Sequence, residues 1–345
     1  MLLTGDVSRE SEGVRTNFTG DLMGGGGADV GDRDAGAVMG EPEADAAADA
    51  AAAAGHDSHL AVEHVGILSR GDSWLTIGPV SEAVTFGQGL NGNLFLPSGG
   101  GRAGAVVILH ERYGLVQHTL DLAQKLAGDG YVALAPDLFS RWQGDKEALK
   151  RGDVHAKLPD EEIGVVVNGG LDYLKAHPRV ESGKLAVMGV CQSGRYPISI
   201  GSERHDLSAL VIFYGAAQDS DWEVTEYQSK PVPDMIAGTT APSLYVFGES
   251  DHVISVDNIL RIKSRLEQAR KSYRMRVYPH MPHGWLNDTM PGRYRPAEAK
   301  DAWQLLLTFL DDTFNKRWPG PGRVAWELQS DIGEDYDFGK NVRLE

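Results

Sequence analysis

LAVMGVCQSGRYP, residues 185–197, carries the only cysteine of the 345-residue chain. An apolar run ends in Gly189-Val190-Cys191-Gln192-Ser193-Gly194 and continues into RYPISIG, which can open a helix. A strand, then Gly-X-Cys-X-Ser-Gly, then a helix is the layout of a nucleophile elbow. That turn is so sharp that the residues flanking its centre must be small, and Gly189 and Ser193 are. It lifts the central side chain above the sheet and aims the backbone N–H of Gln192 at the place where an oxyanion would form. A cysteine there is useful as a thiolate, the nucleophilic form of the group. The competing reading is a buried structural thiol, the usual state of a free cysteine.

On both sides of this stretch, short apolar runs alternate with segments of helical period. SWLTIG (73–78), LNGNLFLPSG (90–99), YVALAPDLF (131–139), LSALVIFYG (207–215), SLYVFGES (243–250) and YRMRVYP (273–279) read as strands. GAVVILHE (104–111) is apolar without alternation, as expected of a strand covered on both faces. VQHTLDLAQKLAGDG (116–130), DEEIGVVVNGGLDYLKAHP (160–178), SVDNILRIKSRLEQARK (255–271) and PAEAKDAWQLLLTFLDDTF (296–314) read as helices, with Ser255 a cap and Pro296 in a first turn. Such alternation predicts a mostly parallel sheet with helices on both faces, one α/β domain over residues 63–318. Residues 319–345 have no clear period and read as an extension packed through Trp326.

The first 62 residues differ in kind. Residues 1–60 hold 12 acidic and 3 basic side chains, a net of −9 out of −16 for the whole chain, and one aromatic, Phe18. Low hydrophobicity with like charge does not offset the entropy of ordering, so an acidic, Gly/Ala-rich disordered arm is expected. There is no basic cluster with interleaved aromatics for nucleic acid. The start MLLTGDVSRE has no basic stretch followed by an apolar one, so a secretory leader is not expected there, and no apolar run nears the ~20 residues that span a bilayer. One cysteine makes no internal disulfide and no thiol-rich metal site. The expectation is a cytoplasmic monomer with no metal and no cofactor. Gly87-Gln88-Gly89-Leu90-Asn91-Gly92 has the glycine spacing of a dinucleotide loop, but a strand follows it, so a hairpin turn is expected. His56, His59 and His64 lie close together at the edge of the arm, without a scaffold to make a metal site of them.

An elbow nucleophile needs an acid and a histidine further along, in that order. Asp251 follows the strand SLYVFG, and His283, with Gly284 after it, lies in the loop after YRMRVYP. Asp251 would orient the imidazole, and His283 would take and return protons. Glu249 or His252 could replace the acid, His280 could replace His283, and Asp251 could serve only a helix N-terminus.

LNGNLFLP, VVILHERYG, GYVALAPDLFSR, VMGVCQSG, VFGESDHVIS, YPHMPHGW and RYRPAEAKDAWQ together resemble the dienelactone hydrolase family of the α/β-hydrolase fold, over about residues 90–310. The resemblance implies hydrolysis of a small-molecule ester or lactone by a Cys-His-Asp triad and an acyl-enzyme. It implies that Glu111 holds the thiol until substrate arrives and that the Arg112 backbone N–H is the second oxyanion donor. It also implies that Arg141 binds a substrate carboxylate. Two positions depart from the family pattern. Ser193 stands where type members have glycine, and Asn287 stands where they have a second arginine, for which Arg293 or Arg195 would have to substitute. Tyr113, Trp142 and Trp285 could instead wall an aromatic-lined pocket. The alternatives are a binding or scaffolding module that has lost turnover, and a thioesterase or peptidase-like relative.

Overall fold

The computed structural model describes residues 79–331. The acidic arm, the expected strand at 73–78, and His56, His59 and His64 lie outside the described residues. One sheet holds β1 (Val80–Phe86), β2 (Leu90–Leu96), β3 (Ala103–Leu109), β4 (Val132–Pro136), β5 (Val180–Val190), β6 (Ala209–Phe213), β7 (Ser243–Gly248), β8 (Tyr273–Tyr278) and β9 (Trp326–Ser330). Their order is β1-β2-β4-β3-β5-β6-β7-β8-β9. β2 is antiparallel to both neighbours, and every other pairing is parallel.

Helices α1 (Gln117–Gly128) and α7 (Pro296–Phe314) cover one face of the sheet. Helices α3 (Asp160–Ala176), α4 (Tyr196–Glu203), α5 (Val232–Gly238) and α6 (Val256–Gln268) cover the other, and the short α2 (Lys146–Lys150) follows β4. The continuous apolar run of β3 is explained by this burial. Val107 and Leu109 join the core with Ile163 and Leu171 of α3, whereas Val106 and Ile108 join the core with Leu126 of α1 and Phe309 of α7. Successive side chains point to opposite faces, and neither face meets water. The Ser255 hydroxyl accepts the Asn258 N–H at 3.2 Å and caps α6 as its sequence suggests. Among the described residues no helix is long and apolar enough to cross a membrane.

Two edges were not legible. β1 and β9 are exposed along nearly their whole length, so no apolar alternation marks them. β9 lies in the C-terminal extension and pairs with β8, with the Trp326 indole N–H donating to the Lys271 carbonyl at 2.9 Å. Gly87, Gln88 and Gly89 are the turn between β1 and β2, closed by the pair Phe86 and Leu90. Both glycines have positive φ, 53° and 76°, which a tight hairpin needs.

The strand order places the chemistry. From β3 the chain crosses by α1 to β4 on one side; from β5 it crosses by α4 on the opposite face to β6 on the other side. Connections that diverge at the carboxyl ends of adjacent parallel strands leave a crevice between them. Glu111 follows β3, and Cys191 follows β5 directly.

Candidate active site

Cys191 has φ +56°, a left-handed conformation that a side chain adopts only where its surroundings impose it. Three close approaches impose it here. A Cβ on Gly189 would lie 2.3 Å from the Ser193 carbonyl oxygen, and one on Gly215 would lie 2.5 Å from that of Cys191. One on Gly194 would lie 2.6 Å from the Gly215 Cα. Ser193 is more than a tolerated substitute for glycine. Its buried hydroxyl accepts the Val190 N–H at 3.0 Å and reaches the carbonyls of Leu109 at 3.1 Å and Val190 at 2.9 Å, tying the elbow to β3 and β5.

The His283 Nε2 lies 3.0 Å from the Cys191 Sγ, and its Nδ1 lies 2.8 Å from the Asp251 Oδ2. The Asp251 carboxylate is fully buried, and its Oδ1 accepts the backbone N–H groups of Val253 at 2.7 Å and Ile254 at 3.0 Å. Burial alone would push the imidazole down. The Asp251 carboxylate, and after it the neighbouring Cys191, outweigh it and hold His283 well above its usual range. The competing residues stand elsewhere. His280 is exposed, and its backbone N–H donates to Glu249 at 2.8 Å, so these two are engaged with each other. The His252 ring is 5.9 Å from that of His283, edge to face, and does not take the place of Asp251 at Nδ1.

Glu111 and Asn287 are both buried, at 4% and 1% exposure, and the Asn287 amide donates to the Glu111 Oε2 at 2.8 Å. The position that departs from the family pattern therefore partners the glutamate. Arg195 is engaged too: its Nη2 donates to the Asp160 Oδ1 at 2.7 Å and its Nη1 lies 3.9 Å from the Asp221 Oδ1, so it is a structural cation. Arg293 passes over Gly284, its Cδ 3.7 Å from where a Cβ would stand.

Sequence reasoning passed over His110 and Tyr214. The His110 Nδ1 donates to the Glu111 carbonyl at 2.7 Å, and its Nε2 accepts the Leu138 N–H at 3.1 Å. The Glu111 carbonyl and the Arg112 N–H belong to one planar peptide, so this bond orients that N–H. Burial pushes the ring down to about 4 and keeps it neutral. Tyr214, at φ +36° after β6, sets its ring edge-on to His283 at 5.2 Å. Its hydroxyl is buried without a hydrogen-bond partner, although the Leu286 N–H faces it. Burial, then Glu111, then Cys191 push that hydroxyl well above its usual range. The signal for it was the Tyr-Gly pair ending a strand, which also supplies Gly215.

The expected substrate residues divide. Trp285 is fully buried against Tyr278 and Tyr214, at 5.0 and 6.2 Å between rings, so it backs the site and walls no open space. Trp142 is half-buried on Phe139, and Arg141 is exposed. The Gln192 Nε2 donates to the Ala156 carbonyl at 3.4 Å, and the Arg112 Nη2 to that of Gly152 at 3.4 Å, so one loop spans both expected oxyanion residues. Beside Tyr113 lies a cavity of about 380 Å³, with Asn91, Asn93, Phe139 and Lys146 also in its wall; Cys191, Asp251 and His283 are not among its lining residues. It is therefore a neighbour of the elbow and not the space above the sulfur. Among the described residues no group of three His, Cys, Asp or Glu side chains could hold a metal ion.

A mostly parallel sheet, an elbow at the switch point, and an acid and a histidine after later strands define an α/β-hydrolase. The chain belongs to the dienelactone hydrolase family, whose sequence profile matches residues 90–314, and it is a dienelactone hydrolase-like hydrolase. It is 29% identical over 216 residues to the "Putative carboxymethylenebutenolidase" of Methylorubrum extorquens, covering 61% of this chain and 72% of that one. It is 29% identical over 245 residues to a Bradyrhizobium protein named "Probable 2-oxo-3-(5-oxofuran-2-ylidene)propanoate lactonase", covering 69% of this chain and 92% of that one. The solved "Putative Dienelactone Hydrolase" of Klebsiella pneumoniae superposes with a TM-score of 0.61 at 25% identity, covering 68% of this chain and 99% of the other.

Proposed function

We propose that the protein hydrolyses a carboxylic ester or lactone through a cysteine nucleophile and an acyl-enzyme. The observation that carries this reading is the unbroken series Sγ–Nε2 at 3.0 Å and Nδ1–Oδ2 at 2.8 Å on a left-handed turn. The thiol proton moves to the His283 Nε2 while Asp251 holds the Nδ1 proton. The sulfur attacks the carbonyl carbon, and the oxyanion is received by the backbone N–H groups of Gln192 and Arg112. As the tetrahedral centre collapses, the Nε2 proton goes to the leaving alkoxide and a thioester remains. Water then gives a proton to Nε2, attacks the thioester, and expels the sulfur, which ends the cycle as it began it.

The relatives' names, a butenolide-opening enzyme and a lactonase, support a lactone as the natural substrate. Arg141 and Tyr113 are the candidates for contacting it. Asn287 supplies no charge and is engaged with Glu111, so a carboxylate gripped by two arginines as in the family pattern is not supported. A nucleophilic thiol that must stay reduced fits a reducing compartment, which supports a cytoplasmic location. The test is turnover of small aryl esters and of dienelactone by the full chain. Cys191→Ala should abolish it, and full activity in that variant would refute the assignment.

A further inference from the structure

Two groups at the crevice could accept the proton of the Cys191 thiol: the Glu111 carboxylate and the His283 imidazole. Their hydrogen bonds decide between them. The Sγ is paired with Nε2 at 3.0 Å, and the Glu111 Oε2 is paired with Asn287 at 2.8 Å. The orientation of the Asn287 amide leaves no ambiguity. Its Oδ1 accepts the Thr289 backbone N–H at 3.0 Å and the Thr289 hydroxyl at 2.6 Å, so the end facing Glu111 is the NH₂. The Asn287 N–H donates to the Gly284 carbonyl at 3.0 Å, which fixes the backbone of the same loop that carries His283. A buried amide satisfied at both ends is expensive to disengage. A further donor stands by: the buried Tyr214 hydroxyl, which feels Glu111 and Cys191.

We propose that Asn287 is a positioning residue that holds Glu111 off the nucleophile, so that the thiolate–imidazolium pair is assembled before substrate arrives. The inference rests on the hydrolase reading above and deepens it. It departs from a scheme in which the glutamate holds the thiol until substrate displaces it. The proton balance is simple: one proton leaves Sγ for Nε2, His283 keeps its Nδ1 proton in the hydrogen bond to Asp251, and Glu111 neither gains nor loses one. A neutral amide suits this task. It satisfies the carboxylate without a cation that would draw it across the crevice, and it cannot itself bind an anionic substrate strongly.

The test is the pH dependence of Cys191 alkylation by iodoacetamide in the ligand-free full chain, with thiolate absorbance near 240 nm followed in parallel. The expected midpoint lies at least one pH unit below the ~8.5 of a free thiol. A ligand-free midpoint at ~8.5 overturns the proposal. Asn287→Ala should release Glu111 toward the sulfur and raise the midpoint by about one pH unit, about a tenfold change in the ionisation constant of the thiol. Adding Glu111→Gln to that variant removes the competing acceptor and should return the midpoint toward that of the unaltered chain. An unmoved midpoint in Asn287→Ala, or no recovery in the double variant, also overturns it. Because the readout is alkylation, a protein that hydrolyses none of the esters still tests the clamp. Loss of hydrolysis with a low midpoint would sink the substrate reading and leave this one standing.

Discussion

Asp251→Asn is the perturbation whose effect follows most directly from the geometry. The carboxylate uses one oxygen for the N–H groups of Val253 and Ile254 and the other for the His283 Nδ1. Asparagine keeps the shape but has one acceptor. If its oxygen stays on the two backbone donors, its NH₂ faces Nδ1, which must then accept. The ring is forced into the tautomer with its proton on Nε2, the atom that has to receive the thiol proton. The charge is lost as well. At the 2.8 Å of this pair and an effective dielectric of about 20, the carboxylate–imidazolium attraction is at most ~6 kcal/mol. Allowing for the dipole that replaces it, a loss of about 4–5.5 kcal/mol of transition-state stabilisation is expected, a fall of ~10³–10⁴ in kcat/KM. With the carboxylate gone, the largest influence opposing burial is lost, and the imidazole drops from its raised position. The assay is steady-state hydrolysis of an aryl ester together with iodoacetamide alkylation, both across pH 5–9. A fall of less than about tenfold with the fold intact would refute the reasoning, because the contact would then be structural only.

Three further outcomes are expected. Ser193→Ala orphans the buried Val190 N–H, which should cost ~1–3 kcal/mol and lower the Tm by roughly 2–10 °C; an unchanged calorimetric transition would contradict it. Arg195→Ala leaves Asp160 and Asp221 buried without their cation and should cost ~3–5 kcal/mol, part of it recovered by adding Asp160→Asn, as read from urea midpoints. His110 sits at about 4 in the folded chain, below the 6.5 it returns to on unfolding, so the unfolded chain takes the proton first. Its contribution is complete above pH 6.5 and declines as pH falls toward 4. Between pH 7 and 5 the unaltered chain should therefore lose about 2 kcal/mol more than His110→Asn; equal losses in urea titrations would show that His110 is not the group responsible.

How much of this was legible depends on how locally each signal is written. The central strands announce themselves because β3 to β8 are buried on both faces or nearly so, and a buried strand must be apolar. β1 and β9 are edges, where water tolerates almost any side chain, and no pattern marks them. The elbow was readable because its constraint is local: a left-handed centre and close backbone approaches demand small neighbours within a few residues. Even so, Gly215, as tight against the elbow as Gly189, comes from a different strand and was not found.

By itself, then, the sequence determined the layering and the sharp turn at Cys191, since these follow from periodicity and local sterics. Only the tertiary structure decided which partner each group takes. Residues 249, 251 and 252 are equivalent in a string, as are 280 and 283, and only the directions in which β7 and β8 release the chain send Asp251 and His283 to one point. The same holds for Glu111 and Asn287, separated by 176 positions and joined by one 2.8 Å bond. Hydrogen bonds depend on ångström distances between elements far apart in the chain, and no short-range pattern encodes them.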